Sequence, residues 1–393
     1  MTADSEGPAA AQPGFPIVAR EWGRIGLVGF GGPPTHIALL RQLCVSERRW
    51  MGAADFEDAI AACNLLPGPA STQLAIYCAW RLRGPAGALV GGVSFIVPGL
   101  VLILGLSAVF FEGSPPSWVK GASAGAGAAV AAVAVRAGTN LMPASWQRAR
   151  RASRGRWLVY LAAGAAAAAI VGPWLVLVLL GCGLVELSVR QALGRGSPDL
   201  GIIPIPVLSA AVVGGGGLLA LTWVAFKVGA LSYGGGFVII PLMQRDAVNH
   251  YHWMTSAQFL NAVALGQVTP GPVVQTVAAV GYAAAGVGGG LLAAVVAFSP
   301  SFAFVLLGGR QFERLRHNTR AGAFLDGAGP AAIGAILGAA IPLARALVEP
   351  WQYAVLLGAA VLLLLLRRGP VVTLVSAAAV GVAVGLTGGP IPN

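Results

Sequence analysis

The chain has 393 residues, of which 56% are hydrophobic and only 10% charged, yet it carries a formal net charge of +11. A soluble domain has about 25% charged residues, so this sequence cannot cover a water-facing surface, and its apolar runs exclude disorder. Glycine (56) and proline (26) are abundant without a Gly-X-Y period, which excludes collagen. A polytopic all-α membrane protein remains, with room at about 20 residues per span for roughly ten crossings and shorter re-entrant pieces.

Residues 1–14 are polar and lack the basic-then-apolar form of a cleaved signal; they read as a mobile tail. A first repeat is expected over 15–200. It opens with two interrupted segments, 15–44 broken at FGGPP and 54–80 broken at NLLPGP. Apolar runs follow at 84–111, 118–142, 157–171 and 173–188. Residues 201–217 form an apolar linker, expected to be a transmembrane helix. The second repeat, 218–393, has interrupted segments at 218–247 (YGGG) and 257–282 (QVTPGP), then runs at 287–309, 324–347, 351–366 and 370–388.

The duplication is legible residue by residue. Phe30-Gly31-Gly32-Pro33 matches Tyr233-Gly234-Gly235-Gly236 at an offset of 203. The same offset carries Arg24 to Lys227, Trp50-Met51 to Trp253-Met254, Phe56 to Phe259 and Pro67-Gly68-Pro69 to Pro270-Gly271-Pro272. One deletion later, at offset 202, Gly84 meets Gly286 and Pro98 meets Pro300.

Charge sets the expected topology. Of the basic residues all but Lys120 and Lys227 are arginine, and they cluster between apolar runs, as cytoplasmic loops do under the positive-inside rule; nucleic acid is not the partner. Basic loops at Arg41–Arg49 and Arg81/Arg83 have near-neutral counterparts in the second half. The neutral Glu112–Lys120 loop answers to the basic Arg310–Arg320 loop, and the uncharged turn after Val171 to Arg367/Arg368. This alternation predicts two inverted-topology repeats with broken, re-entrant hairpins.

Irregular backbone at membrane depth survives only inside protein or along a wet cavity, so the breaks mark the expected site. Prolines suit a first helical turn, whose N–H groups lack intrahelical partners. Candidate binding positions are Gly31 and Gly32; Asn64, Pro67, Gly68, Pro69, Ser71, Thr72 and Gln73; and, in the second half, Gly234, Gly235, Gln267, Thr269, Pro270, Gly271, Pro272, Gln275 and Thr276. Neutral donors at helix N-termini suit an oxyanion that must bind and also leave. Arg24 and Lys227, at one repeat position, would suit a dianion; against this, Arg24 stands i, i+3 from Glu21.

The aromatic-Gly-Gly motif, the paired Trp-Met and the twin PGP motifs resemble the chromate ion transporter (CHR) family in its long, two-domain form, over roughly Phe15 to Leu386. Asn64 replaces the glutamine usual before the first PGP motif; Gln267 keeps it. The resemblance implies a bacterial or archaeal inner-membrane protein exporting chromate on the proton motive force. Sulfate is a near-isosteric dianion, so a sulfate or other oxyanion permease or channel is the alternative. The partners are then an oxyanion, protons or another counter-ion, and the lipid bilayer, with a homodimer left open.

Asp58 on the first hairpin and His36 beside the first break are candidates for proton coupling, weighed against a helix cap and a structural hydrogen bond. Cys44, Cys63, Cys78 and Cys182 stand singly, without CxxC spacing, so no metal site or disulfide framework is expected. No P-loop, HExxH or Ser/His/Asp set occurs; neither cofactor nor enzymatic activity is expected.

Overall fold

The computed structural model describes residues 12–65, 68–111, 115–149, 153–171, 175–192, 217–232, 239–308 and 319–392. The linker over 201–216, Pro67, the Asn64 side chain, the Tyr233–Gly236 break with Gly234 and Gly235, and the basic run at Arg310–Arg316 lie outside the described residues. Everything described is helix, turn or irregular connection, with no strand. Among the described residues, five helices are long and apolar enough to cross a bilayer.

In the first half α1 spans Phe15–Val28, α2 Pro33–Arg41, α3 Ala53–Leu65, α4 Ala70–Phe111, α5 Ser117–Arg148, α6 Arg154–Ala166 and α7 Leu175–Ala192. The second half holds α8 Leu218–Leu231, α9 Ile240–Gln244, α10 Ser256–Val268, α11 Thr276–Gly308, α12 Thr319–Arg345, α13 Pro350–Ala360 and α14 Pro370–Leu386. α2 and α9 each run on into a π-helical turn, Gln42–Glu47 and Arg245–His250.

Each break has a local cause. Val18, Trp22, Ile25 and Gly26 put the buried stripe of α1 on one face at helical spacing. The helix stops at Gly29, and α2 restarts after Gly32 (φ 79°) with Pro33 in its first turn. α10 begins with a capping box between Thr255 and Gln258 and ends where Pro270 and Pro272 cannot continue it. Gly68 (φ 118°) and Gly271 (φ 100°) occupy the same repeat position in a backbone region open to glycine.

α4 and α11 each fold back on themselves. The reversals fall at Arg83-Gly84 and Ala285-Gly286, where the glycines have φ 61° and 62°. Beyond the turns Gly91 lies against Ala79, and Gly289 against Gly281. α3 and the Ala70–Arg83 arm are therefore each about 20 Å long, short of the ~30 Å hydrocarbon core. They form a hairpin with arms each too short to span that core, and the remainder of α4 beyond Gly84 is long and apolar enough to do so. Val97, Val101 and Val295 on the outer faces of these crossings are exposed, as lipid-facing residues are.

The halves match in packing as well as in sequence. Gly26 of α1 lies against the backbone of Phe95, and its counterpart Gly229 of α8 against that of Ala297, which is the counterpart of Phe95. Phe56 and Phe259 are both fully buried. The halves also interlock. A Cβ at Gly121 or Gly125 of α5 would strike the backbone of Gly381 or Ala377 in α14, and one at Gly334 or Gly338 of α12 that of Leu161 or Ala165 in α6. Small residues let these helices approach backbone to backbone, a contact driven in lipid by van der Waals packing. Each half thus packs its small-residue helix on the C-terminal helices of the other.

Candidate functional site

The breaks converge where α4 and α11 cross. The Gly271 N–H donates to the Gly29 carbonyl (3.2 Å), joining the second PGP break to the first aromatic-Gly-Gly break. A Cβ at Gly32 would lie 3.7 Å from Val273, and Gly99 of α4 lies against the Pro270 carbonyl and the Gln275 side chain. The reciprocal contact comes from Gly68: a Cβ there would meet Gln73 Nε2 at 2.6 Å and the Gly229 carbonyl and Ser301 Oγ at 3.5 Å. Ser301 is the repeat counterpart of Gly99. Thus each PGP break touches the crossing helix of the other half.

Ser71, Thr72, Gln73, Gln267, Thr269, Gln275, Thr276 and His36 are all buried here. Their hydrogen bonds decide which remain available. Thr269 and Thr276 hydroxyls donate to the carbonyls of Leu265 and Val273 (both 2.8 Å), and Gln275 Nε2 donates to the Ile96 carbonyl (2.8 Å). The His36 ring contacts the Gly29 carbonyl through Nε2 (2.9 Å) and Ser71 Oγ through Nδ1 (3.4 Å). A carbonyl only accepts, so Nε2 carries the proton and Nδ1 accepts from Ser71.

Among the described residues, Arg154 Nε at the start of α6 is buried without a hydrogen-bond partner, and so are five atoms near the breaks: Thr72 Oγ1, Ser232 Oγ, Gln267 Nε2, Gln275 Oε1 and Ser301 Oγ. All five lie on the broken segments or on the helices crossing against them. An unsatisfied buried polar group costs about 1–3 kcal/mol, and four of these five atoms can donate. They form a neutral donor set inside a membrane protein.

The chain matches the chromate transporter family over residues 17–187 and again over 219–382. It belongs to that family. The two matches coincide with the two halves of the fold. The chain is 32% identical over 334 residues to a chromate transport protein of Cupriavidus metallidurans, covering 82% of this chain and 80% of that protein. It is 30% identical over 355 residues to one from Pseudomonas aeruginosa (85% and 82% covered). A probable chromate transport protein of Synechococcus elongatus is 28% identical over 332 residues, 82% of each chain. No solved structure matches.

In this chromate-transporter-family chain the two cations singled out by the repeat have carboxylate partners. Arg24, 54% exposed, pairs with the buried Glu21 (3.0 Å), which also receives Arg48 (3.4 Å). Lys227 pairs with Asp246 and lies 5.8 Å from the Trp223 ring. The alternative weighed for Arg24, pairing with Glu21, is the one seen. Asp58 is half-buried on α3, and its neighbours Asp55 and Glu57 pair with Arg81 (3.7 Å) and Arg41 (3.3 Å). Gly31 is exposed and Gly32 buried at the α2 start; Pro69 and Pro272 lie buried at the two PGP breaks. Ser232 and Ser301 were not among the expected residues. Ser232 ends the segment before the YGGG break, and Ser301 follows Pro300, so proximity to a break was the available signal.

Proposed function

We propose that the protein is a secondary transporter moving a tetrahedral oxyanion, chromate outward, by alternating access of its two halves on the proton motive force. One observation carries this reading: buried hydroxyl and amide donors without partners lie on the broken segments of both halves and on the helices that cross them. Such donors hold an oxyanion by hydrogen bonds, and without a fixed charge they release it again. The names of the relatives from Cupriavidus metallidurans and Pseudomonas aeruginosa support chromate as the ion.

Thr72, Ser232, Ser301 and Gln267 are the donors in this reading. The PGP glycines let the chain reverse without side-chain bulk, and Ser71, Gln73, Thr269, Gln275 and Thr276 complete the wall. Arg24 and Lys227 balance the charge of Glu21 and Asp246. His36 couples the proton: protonation at Nδ1 turns an acceptor into a donor and forces Ser71 to reorient.

Sealed proteoliposomes test this directly. Chromate flux should follow an imposed pH gradient, and sulfate should compete less well than chromate. Absence of flux with inserted, folded protein overturns the transport reading. Flux indifferent to pH gradient and potential, at rates far above a transporter's, identifies a channel. His36→Gln should leave chromate exchange intact while abolishing uphill transport.

A further inference from the structure

A polar cavity lies away from the breaks. It has a volume of about 210 Å³, between the start of α5, the start of α10 and α13, and is lined by Lys120, Ser123, Gln258, Asn261, Gln352 and Phe110 among others. A single water needs only about 10–15 Å³, so the space holds an oxyanion with part of its hydration shell. Among the described residues, no carboxylate lines it.

Two helices connect this cavity to the site, and they agree on the distance. Along α4, Phe110 at the cavity is eleven residues from Gly99, which touches Pro270 and Gln275; at the helical rise this is about 16 Å. Along α10, Gln258 is nine residues from Gln267, about 14 Å. Half the hydrocarbon core is about 15 Å, so the cavity opens near a membrane face when the breaks lie near the midplane. Trp118, half-exposed two residues before Lys120, marks that level as interfacial aromatics do.

The lining suits an anion. Lys120 stands in the first turn of α5, where the helix dipole disfavours a cation, and it has no ion-pair partner among the described residues. Gln352 is a strut, donating to the Ala124 carbonyl (3.2 Å) and accepting from the Val348 and Glu349 N–H groups. The carbonyl of Gln258 accepts from the Thr255 N–H (2.8 Å); its NH₂, like the Asn261 amide, has no hydrogen bond recorded among the described residues.

The repeat supplies the contrast. Offset 203 carries Gln258 and Asn261 to Asp55 and Asp58. Gly125-Ala126-Gly127 matches Gly327-Ala328-Gly329 at offset 202, which carries the lining residue Ala124 to Asp326 and Lys120 to Gly322. Three neutral lining positions are carboxylates at the counterpart mouth, and its cation is gone. There Asp55 pairs with Arg81 (3.7 Å) and Asp326 with Arg190 (2.6 Å). Packing alone gives no reason for acids at one mouth and, among the described residues, amides with a lysine that has no ion-pair partner at the other.

We propose that this cavity is a second anion site, a vestibule in which Lys120 and the Gln258 and Asn261 amides hold a tetrahedral dianion on its path to or from the breaks. The proposal rests on the oxyanion reading of the central site. Two measurements on the purified full chain test it: equilibrium binding of radiolabelled chromate, and the concentration dependence of chromate flux in proteoliposomes. Wild type should bind two chromate ions. Lys120→Gln should bind one and show a KM raised about tenfold at unchanged maximal rate, with Lys120→Arg close to wild type. Gln258→Asp with Asn261→Asp should weaken the vestibule further, whereas Thr72→Val should weaken the central site and keep the vestibule. Wild-type flux with unchanged KM and stoichiometry in folded Lys120→Gln overturns the vestibule alone. Absence of both binding and flux in wild type overturns the central reading and the vestibule with it.

Discussion

At the residue scale, the unpartnered Thr72 hydroxyl separates a functional reading from a structural one. If it served only the fold, its burial would be an uncompensated burden, and Thr72→Val would be neutral or stabilising by about 1–3 kcal/mol. The transport reading expects that same neutral or raised thermal midpoint, together with a chromate KM at least about tenfold higher. A midpoint that falls with KM unchanged would assign Thr72 to packing. Arg24 can be assigned by a pair of variants. Arg24→Gln leaves the buried Glu21 with Arg48 alone, and a buried carboxylate that loses one of its two cations destabilises the fold. Glu21→Gln with Arg24→Gln removes both charges and should recover expression and transport; continued loss of transport in a well-folded double variant would place Arg24 on the substrate. These residues also show what the sequence can convey. Glu21 was legible as a partner because it stands one turn away. Asp246 was not, because it reaches Lys227 from a π-helical turn nineteen residues along the chain. Ser301 needed the crossing of α4 and α11 to acquire a role.

At the element scale, the paired turns within α4 and α11 are the sharpest test of the repeat. Gly84 and Gly286 adopt nearly identical positive φ, and nothing lies within 4 Å of a Cβ built on either. Alanine at each therefore meets only backbone strain, of about 1–3 kcal/mol in a region that is essentially glycine's own. Gly84→Ala and Gly286→Ala should lower the thermal midpoint in detergent by similar amounts. A large effect from one alone would mean the two hairpins are not equivalent elements. Gly125→Val tests a different link, since its side chain would strike the Ala377 backbone and should destabilise by at least about 1–3 kcal/mol. The breaks were legible because Pro67, Pro69, Pro270 and Pro272 stand in pairs around a glycine, whereas single prolines such as Pro98 and Pro300 stay inside their helices. The partners of the small-residue stripes were not, because glycine and alanine permit close approach without naming the surface approached.

At the scale of the whole molecule, two matched halves leave one decision: whether they run through the bilayer in the same sense or in opposite senses. The pattern of basic loops favours opposition, because each arginine-rich loop of one half answers a near-neutral loop of the other. Interlocking of α5 with α14 and of α12 with α6 holds the two halves against each other, so their shared interface would change by tilting, not by separation. The hairpin turns at Arg83-Gly84 and Ala285-Gly286 occupy one repeat position, and opposed halves must present them on opposite faces. The four native cysteines are buried, which keeps background labelling low. Single cysteines at Arg83 and Ala285 should then react with an impermeant maleimide from opposite sides of sealed membranes: Arg83→Cys only after permeabilisation of intact cells, Ala285→Cys without it. Labelling of both from one side would establish parallel halves, and would also place the acidic and lysine-bearing mouths on the same face, removing the polarity that the charge difference between them implies.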